Sequence, residues 1–433
     1  MLMTSADLIG FVSTICDGAF TGTGGATLGD TVPRFRMSPD SQPTSCGNEG
    51  PGSVSAAASA SSIVYLDPNF KFPQNLKVSL GADRVLPWDM VGTFDFLYTK
   101  SINQFYISDV NLQGVVGDWS GEGGRPLYGT IAAGTGTAGS ASATPTRPTS
   151  SFRDVLRHEN RSADRSFSVT GQLQKRFSDG VEFDVGYTYA HTEGLFSLTS
   201  SIASSNYRFT TLDGTIANRN LRTSAFDIPH KITASGTLDV KWGVQLSVIY
   251  VGQSGSPYSY VVSNDINGDA FGGNDPVYVP RNRADMSMDG NGSGNSQGGF
   301  GTAAQQDSSY AVLDNYINSE GCLNEHRGTL LPRNTCRNPW MNFLNARVAK
   351  VFPTIGGQSI EVSADVFNVL HLLSGDWGLI RSTSTFEEAN LLTRTGFDAA
   401  GQRGVYALSL PSRNRVDTNL SRWRVQLGVK YTF

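Results

Sequence analysis

The last twelve residues, Arg422 to Phe433, alternate without interruption. Trp423, Val425, Leu427, Val429, Tyr431 and Phe433 fall on one side, and Arg422, Arg424, Gln426, Gly428, Lys430 and Thr432 on the other. A period of two predicts a strand with one apolar face. The same period recurs upstream in adjacent pairs. Ile360, Val362, Ala364 and Val366 follow Leu344, Ala346 and Val348, with Pro353 to Gly357 as the link. Val244, Leu246, Val248 and Tyr250 follow Ile232, Ala234, Gly236, Leu238 and Val240 across Lys241-Trp242-Gly243. Val181, Phe183, Val185, Tyr187 and Tyr189 follow Phe167, Val169, Gly171 and Leu173 across Ser178-Asp179-Gly180, a tight hairpin signal. Leu76, Val78 and Leu80 precede Phe94, Phe96 and Tyr98 across Pro87-Trp88. The pattern predicts about nine antiparallel strands.

The connections on the other side are long, spanning 114–164, 192–229, 264–340 and 371–420, and rich in Gly, Ser, Thr, Asn and Asp without apolar periodicity. Loops of that length are foreign to a compact soluble domain. They are normal in an outer-membrane barrel, where turns facing the periplasm are short and loops facing outside are long. The same alternation would suit half-buried strands of a soluble sandwich, but it recurs at membrane-spanning length. The expected fold is therefore all-β: the C-terminal portion of an antiparallel transmembrane β-barrel, with long extracellular loops and short periplasmic turns. Trp88, Phe177, Trp242, Phe352 and Phe433 are expected to form an aromatic girdle at the short-turn end, and Tyr98, Tyr189, Tyr250 and Tyr258 a second toward the loops.

Composition changes this picture little. The 433-residue chain has 48 glycines and 17% charged residues. No apolar run approaches the roughly 18 residues of a transmembrane helix, a test that a barrel escapes because only alternate residues meet lipid. A net charge of −4 with no basic stripe argues against nucleic acid as a partner. The charged positions of the second face, Glu182, Asp184, Lys231, Asp239, Arg347, Glu361, Asp365, Arg422, Arg424 and Lys430, are expected to line a lumen. Both signs are present, which suits a hydrated interior, a polar plug or substrate contact.

Several segments together resemble a known family. Phe226-Asp227-Ile228-Pro229-His230-Lys231, Asp265 to Asp269 with Asn274-Asp275-Pro276-Val277-Tyr278-Val279-Pro280, Asp365 to Leu370, and the final strand are similar to the C-terminal barrel half of TonB-dependent outer-membrane receptors. The nearest likeness is to the Oar-like group, whose members carry a carboxypeptidase-regulatory-like domain at their N-terminus. The resemblance runs from about residue 60 onward. It implies energy-coupled uptake through a barrel of about 22 strands, closed by an N-terminal plug whose TonB box couples to the inner membrane. It also implies four partners: outer-membrane lipid, upstream barrel strands with a plug domain, the TonB system, and the barrel assembly machinery that reads the closing strand. Against that pattern, Met1-Leu2-Met3 opens no charged segment followed by an apolar core. Residues 1–70 read as an irregular, mostly extracellular loop region ahead of a barrel portion at 71–433. The expectation is the last part of a longer protein, which does not transport alone.

Three smaller signals remain. Asp265, Asn267 and Asp269 have the spacing of a calcium loop, with Asp275 as a further oxygen donor, although Pro276 stands where a bidentate Glu belongs. A turn held by its own side-chain hydrogen bonds explains the run equally well. Pairing by proximity joins Cys322 to Cys336 and Cys16 to Cys46, one of three connectivities, in a compartment that favours disulfides. Zinc fits less well, because His326 is poorly spaced for a closed four-ligand site. The five histidines, His158, His191, His230, His326 and His371, are scattered without an H-E-x-x-H motif, so an outer-membrane enzyme is the weakest functional expectation. Uptake of an unidentified substrate is the first; a passive porin or a surface adhesin would share every barrel feature.

Overall fold

The computed structural model describes residues 3–4, 61–132, 142–150, 152–178, 180–290, 300–384 and 387–433. The chain divides into two compact units: Met1–Phe70 with Ile107–Gln113 and Arg147–Glu159, and Lys71–Tyr106 with Gly114–Thr146 and Asn160–Phe433. In the smaller unit, strands Ser61–Leu66 and Phe152–Arg161 pair in parallel. Ile107 and Leu156 are fully buried there, and the Asp109 carboxylate accepts from the Asn111 and Val155 amides, both at 2.9 Å.

The larger unit contains one antiparallel sheet. Its strands are β1 Gln74–Leu86, β2 Met90–Ile102, β3 Arg165–Ser178, β4 Val181–Gly194, β5 His230–Val240, β6 Val244–Gln253, β7 Met341–Pro353, β8 Ser359–Phe367 and β9 Arg424–Thr432. Each pairs with its neighbours in sequence, so the spatial order repeats the chain order; a short strand, Arg222–Thr223, adds to the end of β4. Among the described residues β1 and β9 do not pair, which leaves the sheet open. The links match the expected short turns. Trp88 and Asp89 between β1 and β2, and Trp242 between β5 and β6, take left-handed backbone conformations, as tight hairpins demand. Gly356 and Gly357 do so between β7 and β8, where any side chain would add about 1 kcal/mol of strain.

Residues directly opposite in an antiparallel pair share a face, so the register separates two faces. On one, Val425, Leu427, Val429 and Tyr431 of β9 oppose Val366, Ala364, Val362 and Ile360 of β8. The row continues through Val348 to Leu246, Leu238 and Val181, and from Val185, Tyr187 and Tyr189 through Leu173, Gly171 and Val169 to Phe94 and Phe96. Among the described residues nothing covers this apolar face: Leu427 and Val429 are 79% and 76% exposed. Charges appear on it only near its two margins, Lys100, Arg165 and Glu193 toward the long connections and Arg84, Lys175 and Lys350 toward the short turns. Trp88, Trp242, Phe352 and Phe433 are exposed at the short-turn end. The Phe177 side chain lies outside the described residues.

The long connections differ from their expected character. Strand Pro257–Ser263 runs parallel to Glu388–Asp398, which pairs antiparallel with Arg403–Leu408, and the 16-residue helix Ala303–Asn318 packs beside them. Thr302 starts that helix with a reciprocal bond pair to Gln305. Tyr260, Val262, Leu313, Leu323, Leu392 and Tyr406 form the buried centre. The expected loop-end girdle loses Tyr258 to this core, where its hydroxyl donates to Tyr260. Most strands of this core run only two to seven residues, such as Tyr278–Val279, and the longer Glu388–Asp398 shows no alternation of buried and exposed positions, so no period of two marks them in the sequence. Cys322 and Cys336 form a disulfide with Cα atoms 5.3 Å apart. Cys16 and Cys46 lie outside the described residues.

Candidate functional site

The polar face of the sheet carries all but one of the charged positions singled out from the sequence. Lys430 opposes Glu361, Gln426 opposes Asp365, and Asp365 opposes Arg347. Glu182, Asp184, Lys231 and Asp239 share this face with Thr237, Ser235, Thr188 and Gln245, and Arg424 opposes Phe367 at its end. Arg422 is the exception: it caps the short helix Thr418–Ser421 ahead of β9 and belongs to no paired strand. Cross-strand bonds knit the face together. Arg347 reaches Glu361 at 2.7 Å and Asp365 at 3.1 Å, Gln245 donates to Asp239 at 3.0 Å, and Thr170 meets Thr188 at 2.9 Å.

Above the sheet, the long connections enclose a cavity of about 980 Å³. The short helix Ala203–Arg208 contributes Arg208 and, one residue on, Phe209. Asn206 fixes that helix by accepting from the Ser200 amide at 2.8 Å and donating to the Ser200 carbonyl at 2.6 Å. Phe226 projects from a turn anchored by Asp227, which pairs with Arg337 at 2.7 Å and accepts from the Thr192 amide at 2.7 Å. The opposite wall is Glu387 with strand Glu388–Asp398, held where the Ser259 amide donates to the Glu387 carbonyl at 2.6 Å.

Arg208 acts on Glu388 and Asp265 on Arg394 through space, but burial outweighs both attractions. Burial pushes the Glu387 carboxyl up, against the lowering influence of Ser197 and Arg333. Glu388 is pushed up to about 9, first by burial and then by Glu387. Burial pulls Arg394 down, and its guanidinium lies 4.6 Å over the Phe397 ring. Sequence reasoning missed all three. Neighbouring glutamates and a lone arginine have no signal until a parallel strand pairing places them on one wall.

The Asp265 turn borders the same cavity. Asp265 accepts from the amides of Asn267, Gly268 and Ala270 at 3.1, 2.7 and 2.8 Å. Asp269 accepts from the Phe271 amide at 2.7 Å and from Asn274 at 2.8 Å, and Asp275 accepts from Asn267 at 2.6 Å. Arg125 stands 3.6 Å from Asp275 and 2.7 Å from Glu122, which also accepts from the Gly404 amide at 2.7 Å. The D-x-N-x-D spacing thus holds a turn together. Among the described residues no group of three or more His, Cys, Asp or Glu side chains is placed to hold a metal ion. Burial raises Asp265, raises Asp269 to about 7 with help from Asp265, and holds Asp275 well above the ordinary carboxyl range, with Asp269 adding to the push. The sequence also contains Gly294-Asn295-Ser296-Gln297-Gly298, a hydrolase-elbow spacing that lies outside the described residues.

A family model described as an outer membrane beta barrel domain matches residues 18–373. No curated protein matches the chain. Among solved structures, the outer membrane transporter YddB from Escherichia coli is 11% identical at a TM-score of 0.36, over 84% of this chain and 33% of that one. A ferric enterobactin receptor mutant from Pseudomonas aeruginosa, in complex with enterobactin, is 10% identical at 0.35, over 86% and 33%. The chain spans about a third of the length of each.

Proposed function

From the premise that this chain belongs to the outer-membrane β-barrel family and resides in the outer membrane, we propose that it forms part of a TonB-dependent receptor of the Oar-like kind, taking up a substrate and performing no catalysis. The observation that carries the reading is the pairing of an uncovered apolar face with a structured, cavity-bearing loop region on one sheet. From Val181 to Tyr189 the apolar face of β4 spans eight rises, roughly 27 Å along the strand and about 20 Å along the membrane normal at a tilt near 40°. That height approaches the roughly 25 Å apolar band of an outer-membrane barrel. The polar face then lines the lumen, the short turns with Trp88 and Trp242 face the periplasm, and the loop cavity faces outward to meet the substrate. In lipid each unpaired backbone group costs several kcal/mol. Further strands of the barrel must therefore complete the edges of β1 and β9, with the barrel assembly machinery reading β9.

Planar-bilayer recording and uptake measured with and without a protonophore test this reading. A plugged, energy-coupled receptor shows no steady conductance, and its uptake stops when the protonmotive force collapses. Stable channels with protonophore-insensitive uptake would make the protein a porin.

A further inference from the structure

Resting on that receptor reading, we propose that the loop cavity takes an extended zwitterionic peptide of about five or six residues, with its cationic end at Glu387 and Glu388 and its carboxylate end at Arg394. Glu387 is only 8% exposed yet lines the cavity; the Ser197 hydroxyl acts on its carboxylate, but among the described residues no cation hydrogen-bonds to either oxygen. One oxygen of Glu388 is unpartnered. The nearby Arg333 acts on Glu387 only through space, its guanidinium hydrogen-bonding to the Ser197 hydroxyl and the Gly194 carbonyl instead. Two adjacent carboxyl groups in a partly dry wall are costly to ionise together unless a cation arrives from outside. An ammonium or guanidinium group supplies it, and its arrival reverses the upward push on Glu388.

At the other end of the wall the buried Nε of Arg394 has no partner. A carboxylate fits that fork. The two poles stand six residues apart on one strand that carries a bulge, roughly 18 Å at about 3.3 Å per residue. A single amino acid cannot bridge that distance; an extended chain of about five or six residues does. Phe209 and Phe226, both more than half exposed, also line the cavity and offer apolar surface for side chains. The volume of about 980 Å³ is at the top of the usual range for small-ligand sites. A neutral glycan brings neither a cation nor an anion to these poles, and a polyanion would meet two carboxyl groups.

The test uses the purified receptor in detergent micelles and fluorescence-anisotropy competition with oligoalanines of about three to eight residues, prepared with free termini, N-acetylated or C-amidated. Affinity is expected to peak near five or six residues and to fall about ten- to hundredfold on capping either end. The double variant Glu387→Gln, Glu388→Gln should bind free and acetylated peptides alike, and Arg394→Gln should bind free and amidated peptides alike. Insensitivity of the unmodified protein to both caps, absence of a length optimum, or absence of binding at millimolar peptide would overturn the inference. The capping series on the unmodified protein decides the question even if a variant fails to fold. Protonophore-sensitive uptake with no peptide binding would sink the peptide assignment and leave the receptor reading standing; protonophore-insensitive channels would do the reverse.

Discussion

The nine-strand sheet and the loop-built core are made from one chain but bury their apolar residues against different things. In the sheet, Leu427 and Val429 face outward, uncovered by any described residue. In the loops, Leu313, Leu323 and Val262 are sealed from any solvent by their own neighbours. The sheet borrows its apolar surroundings from the bilayer, whereas the loop core must supply its own, as a water-soluble domain does. The polar groups follow the same division. Charges in the sheet form an open ladder such as Arg347 with Glu361 and Asp365, while Arg125 in the loops is buried and paired with Glu122.

The contrast is broken most strongly by emptying the loop core. Leu313→Ala should destabilise it by about 2–5 kcal/mol, seen as faster proteolysis of the loops while the heat-modifiable gel shift of the barrel persists. An equal loss of both would show that the two regions melt as one. Next, Leu427→Arg should cost about 2–4 kcal/mol in urea titrations of refolding into vesicles, and Gln426→Arg, one residue away on the polar face, close to nothing. Equal costs would mean the faces are misassigned, and a lipid-soluble quencher reaching spin labels at 424 and 426 in preference to 425 and 427 would say the same. Replacing Cys322 and Cys336 by Ser should then remove up to roughly 3 kcal/mol of loop stability without altering membrane insertion.

The smallest effect per unit change of condition is a pH slope confined to the loops. Asp269 has its folded value raised to about 7, above the ordinary carboxyl value. Both states are protonated below the unfolded value. As pH rises past it the unfolded chain alone releases the proton, so loop stability falls between about pH 4 and pH 7, by at most about 1.4 kcal/mol per pH unit. Asp269→Asn should flatten this slope, since Asn274 can turn its unpartnered carbonyl toward the new amide. An unchanged slope in hydrogen exchange of the loop would assign it to Asp275 or Glu388.

The sheet was legible in the sequence because its surroundings are uniform. When lipid lies on one side and water on the other, every second residue answers to the same solvent, and Ile360 to Val366 or Val181 to Tyr189 show the period directly. Pairing then follows, because the short turns leave each strand only its sequence neighbours. The cavity was illegible for the opposite reason. Glu388 and Arg394 acquire meaning only when their strand lies parallel to Pro257–Ser263, more than a hundred residues away, and no local pattern encodes that meeting. The Asp265 turn was legible as two alternatives, and the hydrogen bonds show its side chains holding the turn.

The agreement of spatial and chain order in the sheet has a kinetic consequence. Hairpins of β1 with β2, or β7 with β8, close over a few residues, so the membrane part can zip together locally and early. The loop core cannot. The bond from Gly404 to Glu122 joins residues 282 positions apart, and it can form only after strands β3 to β8 have been laid down between them. Folding should therefore run from the bilayer outward, with the cavity the last part of the molecule to take shape.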